Sequence, residues 1–165
     1  MEVGPMSIIA ARLLDDAVRP QVVKECCAII DHQVSAKKGF SGIAIKGAYK
    51  TVKAIKPGFV PGVVDALLDE WVAKLADFEG EHLASGGTVD TVPDFLVSQR
   101  ARVAEALISV TDARAETTKH KTAQKLYHRF RPSALTNVED GVPELATLVT
   151  QYGLSAPEPA VAAAP

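Results

Sequence analysis

At 165 residues with 47% apolar side chains, the chain is long enough and apolar enough to build one hydrophobic core. A formal net charge of −2 removes any global electrostatic case for a polyanionic partner. No stretch approaches the roughly 18 consecutive apolar residues of a membrane-spanning helix. The opening MEVGPMSIIAARLLDD lacks the basic start, long apolar run and small-residue cleavage site of a secretory signal. Cys26 and Cys27 are adjacent, a poor start for a disulfide framework, so the expectation is a cytoplasmic protein with free thiols.

In chain order, Ser7 is placed to cap a short helix through about Asp16, and Pro20 suits the first turn of a second helix that runs to about Ala36 and stops near Gly39. Val22, Val23, Cys26, Cys27, Ile29, Ile30 and Val34 fall on one arc of that helix. Ser41 is expected to start a third helix through Ile55, with Ile45, Ala48, Tyr49 and Val52 on one face and Pro57 and Gly58 as its stop. From Pro61 to His82, apolar residues from Val63 through Trp71 to Phe78 recur at three- and four-residue steps, the clearest helix in the chain. Pro93 opens a helical stretch interrupted around Ser98 and continuing through Val110. A helix from Lys119 to Phe130 is expected to end at Pro132, followed by a turn of helix at Ser133 to Asp140 and a last helix from Pro143 to Gly153. The Ala/Pro-rich remainder, 154–165, reads as a flexible tail.

Charge is distributed in blocks: residues 1–36 carry −2, 37–56 carry +6, 57–98 carry −7, 99–131 carry +5 and 132–165 carry −4. Lys46, Lys50 and Lys53 share one strip of the third helix, with Lys56 one turn on and no acid between them. Such a strip suits phosphates or anionic headgroups. The plainer account is solvated lysines, or lysines paired with Asp65, Asp69, Glu70, Asp77, Glu79 and Glu81 of the next helix. A second basic region holds Arg114, Lys119, Lys121, Lys125, Arg129 and Arg131, with His120 and His128 among them and Asp112 beside Arg114. Arginine supplies planar paired donors for phosphate or carboxylate, and histidine can make such a contact sensitive to pH.

Other motifs point away from chemistry. KKGFSG resembles the GxxG loop of KH domains, but no strand pattern accompanies it. GIAIKG lacks the Lys-Ser/Thr ending of a phosphate-binding loop. Cys26, Cys27 and His32 lack metal-ligand spacing, so no metal or cofactor is expected. His82 beside Glu79 and Glu81 has no nucleophile near it. Trp71, Tyr49, Tyr127 and Phe130 sit on apolar stripes and read as core side chains, not as platforms for bases.

The runs GFSGIAIKGAYKTVKAIKPGFV, VDALLDEW and ALISVTDARAETTKHKTAQKLY resemble those of an uncharacterised family of bacterial proteins with a similar lysine-rich helix and TDARAE segment. The resemblance covers about Asp16 to Tyr152 and implies one intact domain; it brings no activity, cofactor or catalytic residue with it.

The sequence therefore predicts an all-α bundle of about five to seven helices, a single domain over 1–153 and a flexible tail. The expected role is non-enzymatic: a helical interaction module whose basic strips meet an acidic partner or a second copy of the chain. Two alternatives stand beside it. One is a nucleic-acid or anionic-membrane binder using the same lysines. The other is an enzyme with an unfamiliar pocket near Asp112, Arg114, His120 and His128.

Overall fold

The computed structural model describes residues 7–154, which contain seven α-helices and, among the described residues, no strand. α1 spans Ile8–Leu13 and is capped as expected: the Ser7 hydroxyl accepts the Ala10 amide at 2.9 Å. α2 spans Arg19–Ser35 with Pro20 in its first turn. α3 spans Gly39–Lys53, and α4, the second longest, spans Phe59–Ala84. α5 (Val92–Ser98) and α6 (Arg100–Thr117) are separated by a single break at Gln99, where the sequence suggests an interruption. The tail expected at 154–165 lies outside the described residues except for Leu154, which ends a turn of π-helix, Val149–Leu154.

Two glycines move the expected boundaries. Gly39 and Gly58 have φ of +75° and +74°, a backbone region open to glycine at little cost. Each turns the chain directly into a helix, so α3 begins at Gly39 and not Ser41, and α4 begins at Phe59 and not Pro61. α3 also ends at Lys53, two residues before the expected Ile55.

The largest departure is α7, a single helix over Lys121–Leu148 that contains both Pro132 and Pro143. Each proline removes one intrahelical bond, to the carbonyls of His128 and Glu139. Both prolines lie on the exposed face, where the freed carbonyls are open to solvent and the missing donor costs least. The other face packs on α6, α2 and α5, with Gly141, Val142, Ala146 and Leu148 buried. Tertiary burial of that face outweighs two local breaks.

The core runs through Leu13, Val22, Leu68, Val72, Leu96, Val103, Val142 and Val149, contributed by α1, α2, α4, α5, α6, α7 and the π turn. α3 is the exception. It touches α2, α4 and α7, yet its only buried residue is Gly42, and its apolar side chains Ile45, Ala48, Tyr49 and Val52 are half-buried.

Candidate functional site

The half-buried apolar side chains of α3 face a cavity of about 830 Å³. Pockets for small organic ligands typically measure roughly 300–1,000 Å³. Its walls are the inner faces of α2, α3, α4 and α7 together with part of α6. Trp71, Tyr49, Tyr127 and Phe130, which the sequence assigns to the core, line it instead. Each of the four is half-buried.

The polar atoms of Trp71, Tyr49 and Tyr127 are already committed to partners within the fold. Trp71 donates its indole N–H to the Leu107 carbonyl at 3.1 Å. The Tyr49 hydroxyl donates to Asp31 and that of Tyr127 to Asp112, both at 2.6 Å. Burial and these carboxylate acceptors raise both phenol pKa values well above the ordinary range. The rings are left to present their apolar surface to the cavity. Cys26 also lines it, its thiol pushed up to about 12 by burial, with smaller contributions from Cys27 and Glu25.

One end of the cavity differs from the rest. The α3–α4 and α6–α7 connections meet there, with the rings of Phe59 and His120 edge to face at 4.9 Å between centroids. Lys56, Arg114 and His120 line the cavity and come from these connections and the last turn of α6. Lys56 and Arg114 are exposed, so this end reaches the surface. Neither makes an ion pair with any described residue. Among the described residues, no Asp or Glu lines the cavity, so its charged groups are basic throughout.

The structure divides the rest of the two basic regions. On α3, Lys46 and Lys50 are exposed and unpaired among the described residues, while Lys53 sits 3.6 Å from Asp31 and 5.0 Å from the Tyr49 ring centroid. The acidic helix α4 is not the partner of these lysines. Asp65 and Asp69 take the guanidinium of Arg19 on α2, and Glu81 takes Arg102 on α6. On α7, Lys121, Lys125 and Arg129 are exposed, with Arg129 over the Phe130 ring. Arg131 pairs with Asp112 through two hydrogen bonds of 2.9 Å. That guanidinium holds the Asp112 carboxyl below the usual carboxylate range, with the Tyr127 hydroxyl adding to the effect.

Asp112, Arg114, His120 and His128 do not converge on one pocket: Arg114 and His120 line the cavity, and Asp112 and His128 do not. His128 instead lies 3.9 Å from Glu116. His82 stacks on Phe95 and hydrogen-bonds the Thr91 hydroxyl at 2.7 Å. Among the described residues, no cluster of three His, Cys, Asp or Glu side chains is placed to hold a metal ion, and no helix is long and apolar enough to cross a membrane. The inner faces of α3 and α7 are legible in the sequence but the space between them is not, because periodicity shows which side chains turn inward and not whether they meet.

A family model described as a family of unknown function (DUF6918) matches residues 9–153, and the chain belongs to that family. No curated protein and no solved structure matches it.

Proposed function

We propose that this DUF6918 protein binds a single-chain amphiphile with an anionic head, such as a long-chain fatty acid. The apolar tail lies among α2, α3, α4 and α7, and the carboxylate meets Lys56, Arg114 and His120. The observation that carries this reading is the pairing of an apolar cavity of about 830 Å³ with a lining that has cations at its surface end and no carboxylate among the described residues. Each methylene taken from water into such a lining contributes about 0.8 kcal/mol, so a long chain is favoured over a short one. A head of one negative charge gains charge-assisted hydrogen bonds from cations that no acid already engages. The free thiols of Cys26 and Cys27 fit residence in a reducing compartment such as the cytoplasm.

Trp71 is the only tryptophan and lines the cavity, so its emission reports on an occupant. Titration with a polyene fatty acid is expected to quench Trp71 by energy transfer and to saturate at one equivalent. The fatty alcohol of the same length is expected to bind at least about tenfold more weakly, the ratio set by one lost charge-assisted bond. Lys56→Gln with Arg114→Gln should remove that preference for acid over alcohol. Equal binding of acid and alcohol, or no saturable quenching, overturns the reading.

A second reading concerns α7. Lys121, Lys125 and Arg129 are exposed at four-residue spacing and make no ion pair among the described residues, which favours an acidic partner surface for this strip. Light scattering behind size-exclusion chromatography at about 50 and about 500 mM salt tests whether that partner is a second copy. A dimer at low salt that dissociates at high salt supports it, and a monomer at both excludes the second copy.

A further inference from the structure

We propose that the outer face of α3 docks on an anionic lipid bilayer, with Phe40 and Ile43 entering the boundary between headgroups and acyl chains and Lys46 and Lys50 meeting the headgroups. Phe40 is 93% exposed and Ile43 70% exposed, the two highest values among large apolar side chains in the described structure. Single exposed apolar residues are ordinary on a protein surface. Here two stand one turn apart on the same strip of one helix, and at about 100° per residue that strip continues through Lys46 and Lys50. α3 contains no Asp or Glu, and Lys38 stands immediately before it. Large apolar side chains beside lysines on the outward face of an amphipathic helix are the composition that lies in a bilayer interface.

Charge decides against a second copy as the occupant. A two-fold contact through this face would set Lys46 and Lys50 of one chain against the same lysines of the other, with no acid on the helix to offset them. A nucleic-acid duplex would engage the lysines but gives no apolar layer for Ile43 and Phe40 to enter.

α3 is also a wall of the cavity: Ile45, Ala48, Tyr49 and Val52 line it from the opposite side of the helix. Docking through the outer face would bring the cavity wall onto the membrane, a short path for an amphiphile between bilayer and protein. This consequence rests on the cavity reading; docking itself does not.

The test is co-sedimentation of the full chain, without added ligand, with vesicles of phosphatidylcholine alone and with vesicles in which about a third is replaced by phosphatidylglycerol. Binding is expected to the anionic vesicles only, and to fall by about tenfold or more between about 50 and about 500 mM salt as the surface potential is screened. Phe40→Ser with Ile43→Ser, and separately Lys46→Gln with Lys50→Gln, should each weaken it by about tenfold or more. All four side chains are exposed, so circular dichroism and the urea midpoint should match the parent. Phe40→Trp should be quenched by brominated lipid while the parent, whose Trp71 lines the cavity, is not.

Three outcomes overturn the proposal: no binding to anionic vesicles, undiminished binding by the Phe40→Ser, Ile43→Ser variant, or no quenching of Phe40→Trp. Vesicle binding without saturable fatty-acid binding would leave docking standing and remove the cavity reading; the reverse pattern would do the opposite.

Discussion

The carboxylate of Glu79, 2% exposed on α4, accepts the hydroxyl of Ser7 at the start of α1, 72 residues away in sequence. The same carboxylate accepts the Ile8 amide at 3.2 Å. Ser7 thus works twice: its oxygen receives the Ala10 amide as a helix cap while its proton satisfies a buried acid. This joint holds α1 against α4 and lets Ile9 and Leu13 reach the core.

Removing either side of the joint leaves a buried polar group without its partner. Ser7→Ala is expected to destabilise the fold by about 1–3 kcal/mol, more than the loss of an ordinary cap, because Glu79 also loses a donor. Glu79→Leu should cost a similar amount by stranding the Ser7 hydroxyl and Ile8 amide. Urea unfolding of both single variants and the double variant checks this. Additive losses would show that the two residues act independently.

Two glycines of α3 are expected to respond in opposite senses to alanine. A Cβ on Gly47 meets nothing within 4 Å, so Gly47→Ala should stabilise by about 0.5–1 kcal/mol through helix propensity alone. A Cβ on Gly42 would lie 2.6 Å from the carbonyl carbon and 2.7 Å from the oxygen of Lys37, both backbone atoms that cannot swing aside. Gly42→Ala should therefore destabilise by about 1–3 kcal/mol by forcing the α2–α3 turn away from the helix. Thermal midpoints of the two variants settle the contrast, and a stabilising Gly42→Ala would show that the turn gives way freely.

The Asp112–Arg131 pair predicts a pH dependence of stability. The guanidinium lowers the folded pKa of Asp112 below its unfolded value, near 3.9, so the unfolded chain binds more protons in the window between them. Stability from this group is fully present above the unfolded pKa and is lost as pH falls through the folded one. Asp112→Asn, which cannot titrate, should be less stable than the parent near pH 7, with the difference shrinking as pH falls below about 4. The effect is small because both side chains are more than a third exposed. Urea midpoints measured from pH 7 down to 3 read it directly, and a difference independent of pH would assign the loss to the Tyr127 hydrogen bond instead.

Where helices lie was legible in the sequence wherever a local signal and the tertiary fold agree. Ser7, Pro20 and the break around Ser98 carry their own signals, and the structure follows them. Pro132 and Pro143 carry equally strong local signals, and there the structure does not follow, because burial of the opposite face of α7 is a long-range effect. The basic residues were legible as charges, but their partners were not. Lys53 meets Asp31 of α2 and not an acid of α4, a choice made by helix packing alone. Arg114 and His120 were legible as binding candidates, yet their relation to Lys56 depends on two connections meeting at Phe59.

Cys26 joins the chemistry of a thiol to the proposed site. With its pKa pushed up to about 12 by burial, the Cys26 thiol stays protonated at neutral and mildly alkaline pH, and the thiolate is the reacting form. In a Cys27→Ser variant, which isolates it, Cys26 should react with an aromatic disulfide reagent far more slowly than a free cysteine, and at the free rate once urea unfolds the chain. Because Cys26 lines the cavity, saturating fatty acid should slow the native reaction further while leaving the unfolded rate unchanged. Native reaction at the free-thiol rate would mean that the cavity wall at α2 admits water and reagent readily, and an amphiphile tail would then gain little by lying against it.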